Sequence, residues 1–98
     1  VQTYAESFGY GVVREMVGHG IGRKMHEDPE VPNYFTGRRG PRLEPGMALA
    51  IEPMITLGSP DICLDENQWT VSTIDKKPAA HYENTTILTK NGLEILTL

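Results

Sequence analysis

Cysteine is almost absent: the 98 residues contain one, Cys63. No internal disulfide can form, which suits a reducing compartment, and the cytoplasm is the expected location. No apolar run approaches the ~20 residues of a membrane-spanning helix and no secretory pattern opens the chain, so no membrane association is expected. Positive charge is also scarce. Nine Lys and Arg stand against 13 Asp and Glu, for a net charge of −4. That leaves no basic footprint for a phosphate backbone, and nucleic acid is not an expected partner. Aromatic residues make up 7% of the chain, and there are only three histidines.

What is present is ordinary for a globular protein: 39% hydrophobic and 22% charged residues, enough for one domain or part of one. The opening "VQTYAESFGYGV" reads as the last turns of a helix that stops at Gly9, so the chain is expected to be a fragment whose upstream portion is missing. "GYGVVREMVGH" reads as a strand leading into His19. Residues 27–46, with four prolines and three glycines, read as one long irregular connection of the kind that often carries function. "MALAIEPMI" reads as a strand with Met47, Leu49 and Ile51 on one face and Ala48, Ala50 and Glu52 on the other, Pro53 holding Glu52 extended. "GSPDICLDENQ" reads as a loop and "WTVSTID" as a strand carrying Trp69. In "AAHYENTTILTKNGLEILTL", the Asn91-Gly92 pair between two β-prone runs marks a hairpin, with His81, Glu83 and Thr85 on one face of its first strand. The fold class is therefore α+β, mainly an antiparallel sheet with at least one packed helix.

Three residues stand out chemically. His19 falls at a strand end, and Glu52 and Glu83 fall inside strands where a charged carboxylate is costly unless paired or bound to metal. One imidazole and two carboxylates form a donor set suited to divalent manganese, iron, cobalt or zinc. Each also has an ordinary reading: a hydrogen-bonded loop histidine, an edge carboxylate facing water, a glutamate on a solvated face. Spacing alone leaves the choice open. A second histidine, His26, lies seven residues after His19 across Gly20 and Gly22, and the two imidazoles can meet only if the segment between them bends.

The longer words carry more. "GHGIGRKMHEDPEVPNY", "PGMALAIEPMI" and "WTVSTIDKKPAAHYENTTILT", in that order, closely resemble the C-terminal half of the type I methionine aminopeptidases, within the wider pita-bread (creatinase and aminopeptidase) group. The resemblance covers essentially the whole chain and implies the C-terminal part of a single pita-bread catalytic domain, residues 1–98, with the N-terminal half absent. It implies a cofactor of two divalent metal ions (Co, Mn, Fe or Zn), with His19, Glu52 and Glu83 as ligands. It also implies that Glu83 bridges the ions and that Glu52 handles the proton of the attacking water. His26 is implied to be a catalytic histidine that hydrogen-bonds the scissile peptide, and Met25 and Trp69 are implied to line the methionine pocket. Substrates would be N-terminal methionyl peptides or nascent proteins.

Departures from the family pattern are Val17 for the common cysteine, His81 for the common glutamine and Asn84 for the common histidine. The family's two aspartate ligands belong to the half not seen in this sequence. These residues alone are therefore expected to bind metal weakly, hydrolyse nothing measurable and self-associate through an uncovered face. Two alternatives share the fold: an X-prolyl peptidase, and a non-catalytic module that binds peptides or proteins.

Overall fold

The computed structural model describes residues 1–98 as one short helix and ten strands in three antiparallel sheets. Helix α1 (Gln2–Ser7) packs on β1 (Gly11–Val12) through the buried Ala5. It ends as expected: the Phe8 and Gly9 N–H groups bond back to the carbonyls of Ala5 and Glu6, and Gly9 takes φ +83°.

The remaining strands are β2 (Gly18–Ile21), β3 (Glu27–Val31), β4 (Ala48–Ile51), β5 (Met54–Thr56), β6 (Ile62–Leu64), β7 (Val71–Thr73), β8 (Ala79–His81), β9 (Asn84–Thr89) and β10 (Gly92–Ile95). A five-stranded sheet has the order β10-β9-β4-β2-β3, a three-stranded sheet the order β1-β5-β8, and β6 pairs with β7. The hairpin expected at Asn91-Gly92 joins β9 to β10, with Thr89 opposite Gly92. The core is small: Ala5, Val12, Val13, Leu49 and Ala50 are buried, with Asn33, Thr56, Thr73 and Thr86. The buried hydroxyl of Thr86 is satisfied by the Leu49 carbonyl at 3.1 Å. Many large apolar side chains remain at the surface, among them Phe35, Tyr82, Leu93, Ile95 and Leu96.

Six readings of the sequence are corrected. The strand expected to run into His19 is two strands in different sheets, because exposed Arg14, Glu15 and Met16 make a bend between β1 and β2. Arg14 swings its guanidinium over the Tyr34 ring, 5.2 Å from the centroid. The connection expected over residues 27–46 begins with β3, at the sheet edge, where Pro29 lacks an N–H that no neighbour needs. "MALAIEPMI" is likewise two strands, broken at Glu52–Pro53, and "AAHYENTTILT" is two, broken at Tyr82–Glu83, so His81 and Glu83 share no strand face. Finally, "GSPDICLDENQ" contains β6, while Trp69 precedes β7. It sits in a turn whose Trp69 and Thr70 N–H groups donate to the Asn67 side-chain oxygen at 3.0 and 2.8 Å.

One surface contact has a predictable pH signature. The Asp75 carboxylate accepts from the Lys77 N–H at 3.1 Å and the Ser59 N–H at 2.8 Å, pinning the loop before β6 to the turn after β7. These backbone bonds, Lys77 first and Ser59 second, hold its pKa below the ordinary carboxylate value. A lowered folded-state pKa contributes stability that is present above the unfolded value, about 3.9, and is lost as pH falls through the folded one. Asp75→Asn is therefore expected to flatten the acid limb of the stability profile below about pH 4 and leave its slope near neutrality unchanged. Denaturant titrations at stepped pH check this, and an acid limb identical to that of the unsubstituted protein refutes it.

A candidate metal centre at the seam between two sheets

Three chain crossings from one sheet to the other occur at the same level. The ladder of β4 with β9 sets Ile51 opposite Asn84, and that of β5 with β8 sets Met54 opposite His81. The register is the same on both sides of the break, so carrying it through sets Glu52 opposite Glu83 and Pro53 opposite Tyr82. The Tyr82 N–H donates to the Pro53 carbonyl at 3.2 Å and holds the two breaks together. On the other side, β2 sets His19 opposite Ala50, two residues from Glu52.

Both glycines flanking His19 are dictated by this packing. A Cβ at Gly18 would meet the Ala50 carbonyl oxygen, and one at Gly20 would meet the Asp28 carbonyl. Neither adopts a positive φ, so they are here for close strand approach rather than for the turn. The bend itself follows at residues 22–26, folding β2 and β3 into a hairpin. It brings His26 back onto His19, with ring centroids 4.2 Å apart and planes inclined by 48°. The two imidazoles meet, as the spacing requires of a bent segment.

The result is a convergence of donors. His19, Glu52 and Glu83 each offer one ligand atom, and these atoms all lie within 4.8 Å of one another. The Nδ1 of His19 lies 2.9 Å from the Gly20 carbonyl oxygen. A carbonyl only accepts, so Nδ1 carries the proton and the Nε2 of the neutral ring keeps its lone pair. That Nε2 faces Glu52 Oε1 at 3.3 Å, with the two side chains only 14% and 12% exposed. Two acceptors at this distance call for a proton or a cation between them. The facing carboxylates of Glu52 and Glu83 add to the demand, since like charges directly opposite in a ladder oppose pairing. The donor set and its unmet charge fit a divalent metal ion.

His81 was not singled out in the sequence as a site residue. Its Nε2 lies 3.1 Å from Glu52 Oε2. The signal available was antiparallel symmetry: His81 precedes Glu83 by two residues as Met54 follows Glu52 by two. Asn33 is also buried, its amide 3.5 Å from the Glu52 carbonyl. Met25 and Trp69 are 74% and 87% exposed and line neither of the concavities beside the centre. Two concavities adjoin the centre. A polar groove of about 610 Å³ is bordered by His19, His26, Glu27 and Glu30. An apolar hollow of about 240 Å³, lined by Val13, Met16, Met54 and Ile62, opens beside Glu52 and His81.

A seam of this kind, with an imidazole and two carboxylates converging, is a candidate site for a divalent metal ion, and residues 1–90 match the model of metallopeptidase family M24. The chain belongs to that family. Within it, the chain is similar to methionine aminopeptidases. It is 61% identical to that of Clostridium acetobutylicum over 98 residues, all of this chain and 39% of the relative. It is 50% identical over 97 residues to methionine aminopeptidase 1 of Bacillus subtilis, 99% of this chain and again 39% of the relative. The crystal structure of the Thermotoga maritima methionine aminopeptidase superposes with a TM-score of 0.94 at 48% identity, covering 99% of this chain and 39% of that one. The α+β fold is thus the pita-bread arrangement expected from the sequence, and the chain spans about two fifths of the length of these relatives. No helix is long and apolar enough to cross a membrane.

Proposed function

We propose that the protein is a metal-dependent aminopeptidase that removes the N-terminal methionine from peptides and nascent proteins, with residues 1–98 forming the C-terminal part of its single catalytic domain. The observation that carries this reading is the convergence of His19, Glu52 and Glu83 within 4.8 Å. The likeness to methionine aminopeptidases over the whole chain supports it. Two divalent ions, cobalt, manganese, iron or zinc, suit the mixed nitrogen and oxygen donors. When bound, such ions supply Lewis acidity toward water and toward a peptide carbonyl.

The chain's own residues do the rest. His19 presents Nε2 because its Nδ1–H is committed to the Gly20 carbonyl. Glu83, with His19 and Glu52, would hold the ions, and Glu52 would take the proton of the attacking water and return it to the leaving amine. His26, against His19, donates an N–H to the scissile peptide and stabilises the charge that develops there. The apolar hollow beside Glu52, with Met16 and Met54 in its wall, suits a flexible thioether side chain. Met25 and Trp69 offer further exposed apolar surface to the same side chain. A reducing cytoplasm is the setting in which the free thiol of Cys63 is unremarkable.

The test uses the full polypeptide that contains these residues. Methionyl and X-prolyl peptides are offered after chelation and again after manganese or cobalt is restored. The expected result is release of methionine that stops with chelator and returns with metal, and no cleavage of X-prolyl substrates. Preferential X-prolyl cleavage identifies the sibling peptidase instead. Failure both to hydrolyse and to bind metal identifies a non-catalytic peptide-binding module.

A further inference from the structure

We propose that His81 is a positioning residue for Glu52, donating from Nε2 to Oε2 and so leaving Oε1 as the oxygen turned toward His19. The inference rests on the metal-centre reading above and adds a residue to it. The two oxygens of Glu52 have different partners: Oε1 lies 3.3 Å from His19 Nε2, and Oε2 lies 3.1 Å from His81 Nε2. His81 is not among the three side chains whose donor atoms converge, so its ring stands outside the ligand group and touches it only through Glu52.

The backbone under His81 is well anchored. It pairs with Met54, its neighbour Ala80 pairs with Ile55, and the Tyr82 N–H bonds the Pro53 carbonyl. Glu52 is less constrained by its own strand, since it sits in the break between β4 and β5, and a glutamate side chain has more rotatable bonds than an imidazole. A short, stiff donor fixed on one sheet therefore aims a longer acceptor at the junction with the other. Partners that orient a ligand in this way commonly change metal affinity ten- to a hundred-fold when removed.

Two measurements on the full polypeptide test the assignment. In the metal-free protein at about pH 8.5, where an ordinary imidazole is neutral, nitrogen NMR reads which ring nitrogen of His81 carries the proton. The inference requires Nε2–H, and an Nδ1–H tautomer overturns it. In the second, Co²⁺ binding is followed by calorimetry and by the visible absorption of the bound ion. His81→Gln, which keeps a donor, is expected to hold Co²⁺ within about two-fold of the unsubstituted affinity, whereas His81→Phe is expected to lose about ten-fold or more and shift the absorption bands. His81→Phe binding as tightly as the unsubstituted protein, or His81→Gln failing as badly as His81→Phe, overturns the inference. Should His81→Phe not fold, the tautomer and the glutamine variant still decide. Absence of Co²⁺ binding in the unsubstituted polypeptide overturns the metal-centre reading itself, and the tautomer then judges the Glu52 contact alone.

Discussion

Replacing Glu52 by glutamine in the full polypeptide is expected to lower kcat/KM on a methionyl peptide by about 10³-fold or more, and at the same time to stabilise the metal-free protein. On the proposed mechanism, the loss of activity follows from removing both a ligand charge and the group that would carry the proton. The gain in stability follows from the hydrogen-bond inventory of the site. Without a cation, the lone pair of His19 Nε2 faces Glu52 Oε1 at 3.3 Å, and Glu83 lies across the ladder. A glutamine amide satisfies both histidines: its oxygen accepts from His81 Nε2–H as before, and its NH₂ donates to His19 Nε2. One satisfied hydrogen bond and one fewer like-charge contact amount to about 1 kcal/mol, or a few degrees in melting temperature. Metal should then raise the melting temperature of the unsubstituted protein and leave that of the variant unmoved. Thermal melts with and without chelator, beside the peptide assay, read both halves. A Glu52→Gln protein that melts lower than the parent without metal would show the carboxylate to be paired with a protonated histidine and would sink this account.

Gly20→Ala is expected to cost about 3 kcal/mol and to weaken metal binding, although it adds a single methyl group. Gly20 lies between Leu49 on β4 and Glu27 on β3, and a Cβ there would meet the carbonyl group of Asp28. The obstacle is backbone on an adjoining strand, so relief comes only by opening the hairpin that presses His26 on His19. Gly40→Ala is the matched control, because nothing lies within 4 Å of the added Cβ in its exposed loop, and its effect should stay within about 0.5 kcal/mol. Denaturation midpoints for the two variants, with calorimetric titration of Co²⁺, separate the cases. Equal stability of the two variants would mean that β3 moves aside freely.

Much of the fold is legible from local chemistry. Gly9 ends the helix and Asn91-Gly92 closes a hairpin because turn geometry is written in single residues. The misread stretches share one cause, which is that strand breaks are tertiary. Nothing local in "MALAIEPMI" says that its two ends enter different sheets; Pro53 was read as extending the strand, and in the fold it stands at the break. Strand β3 hides for another reason. Its burial alternates, with Glu27, Pro29 and Val31 half-buried and Asp28 and Glu30 exposed, but charge and proline mask that alternation in an edge strand. The site shows the same division. His19, Glu52 and Glu83 are identifiable by residue type and by resemblance, while the pairing that sets the two glutamates face to face, and His81 beside them, depends on a register that runs unbroken through two gaps.

The seam has a mechanical consequence. The chain leaves one sheet for the other at Glu52 and returns at Glu83, so the groups that would grip a cation are also the corners of the joint. A gripped ion would act as a rivet between the two blades of the fold. By mass action, free metal at a hundred times its dissociation constant would add about 2.7 kcal/mol against their separation. Stripping the ion would then slacken the joint as well as silence the chemistry.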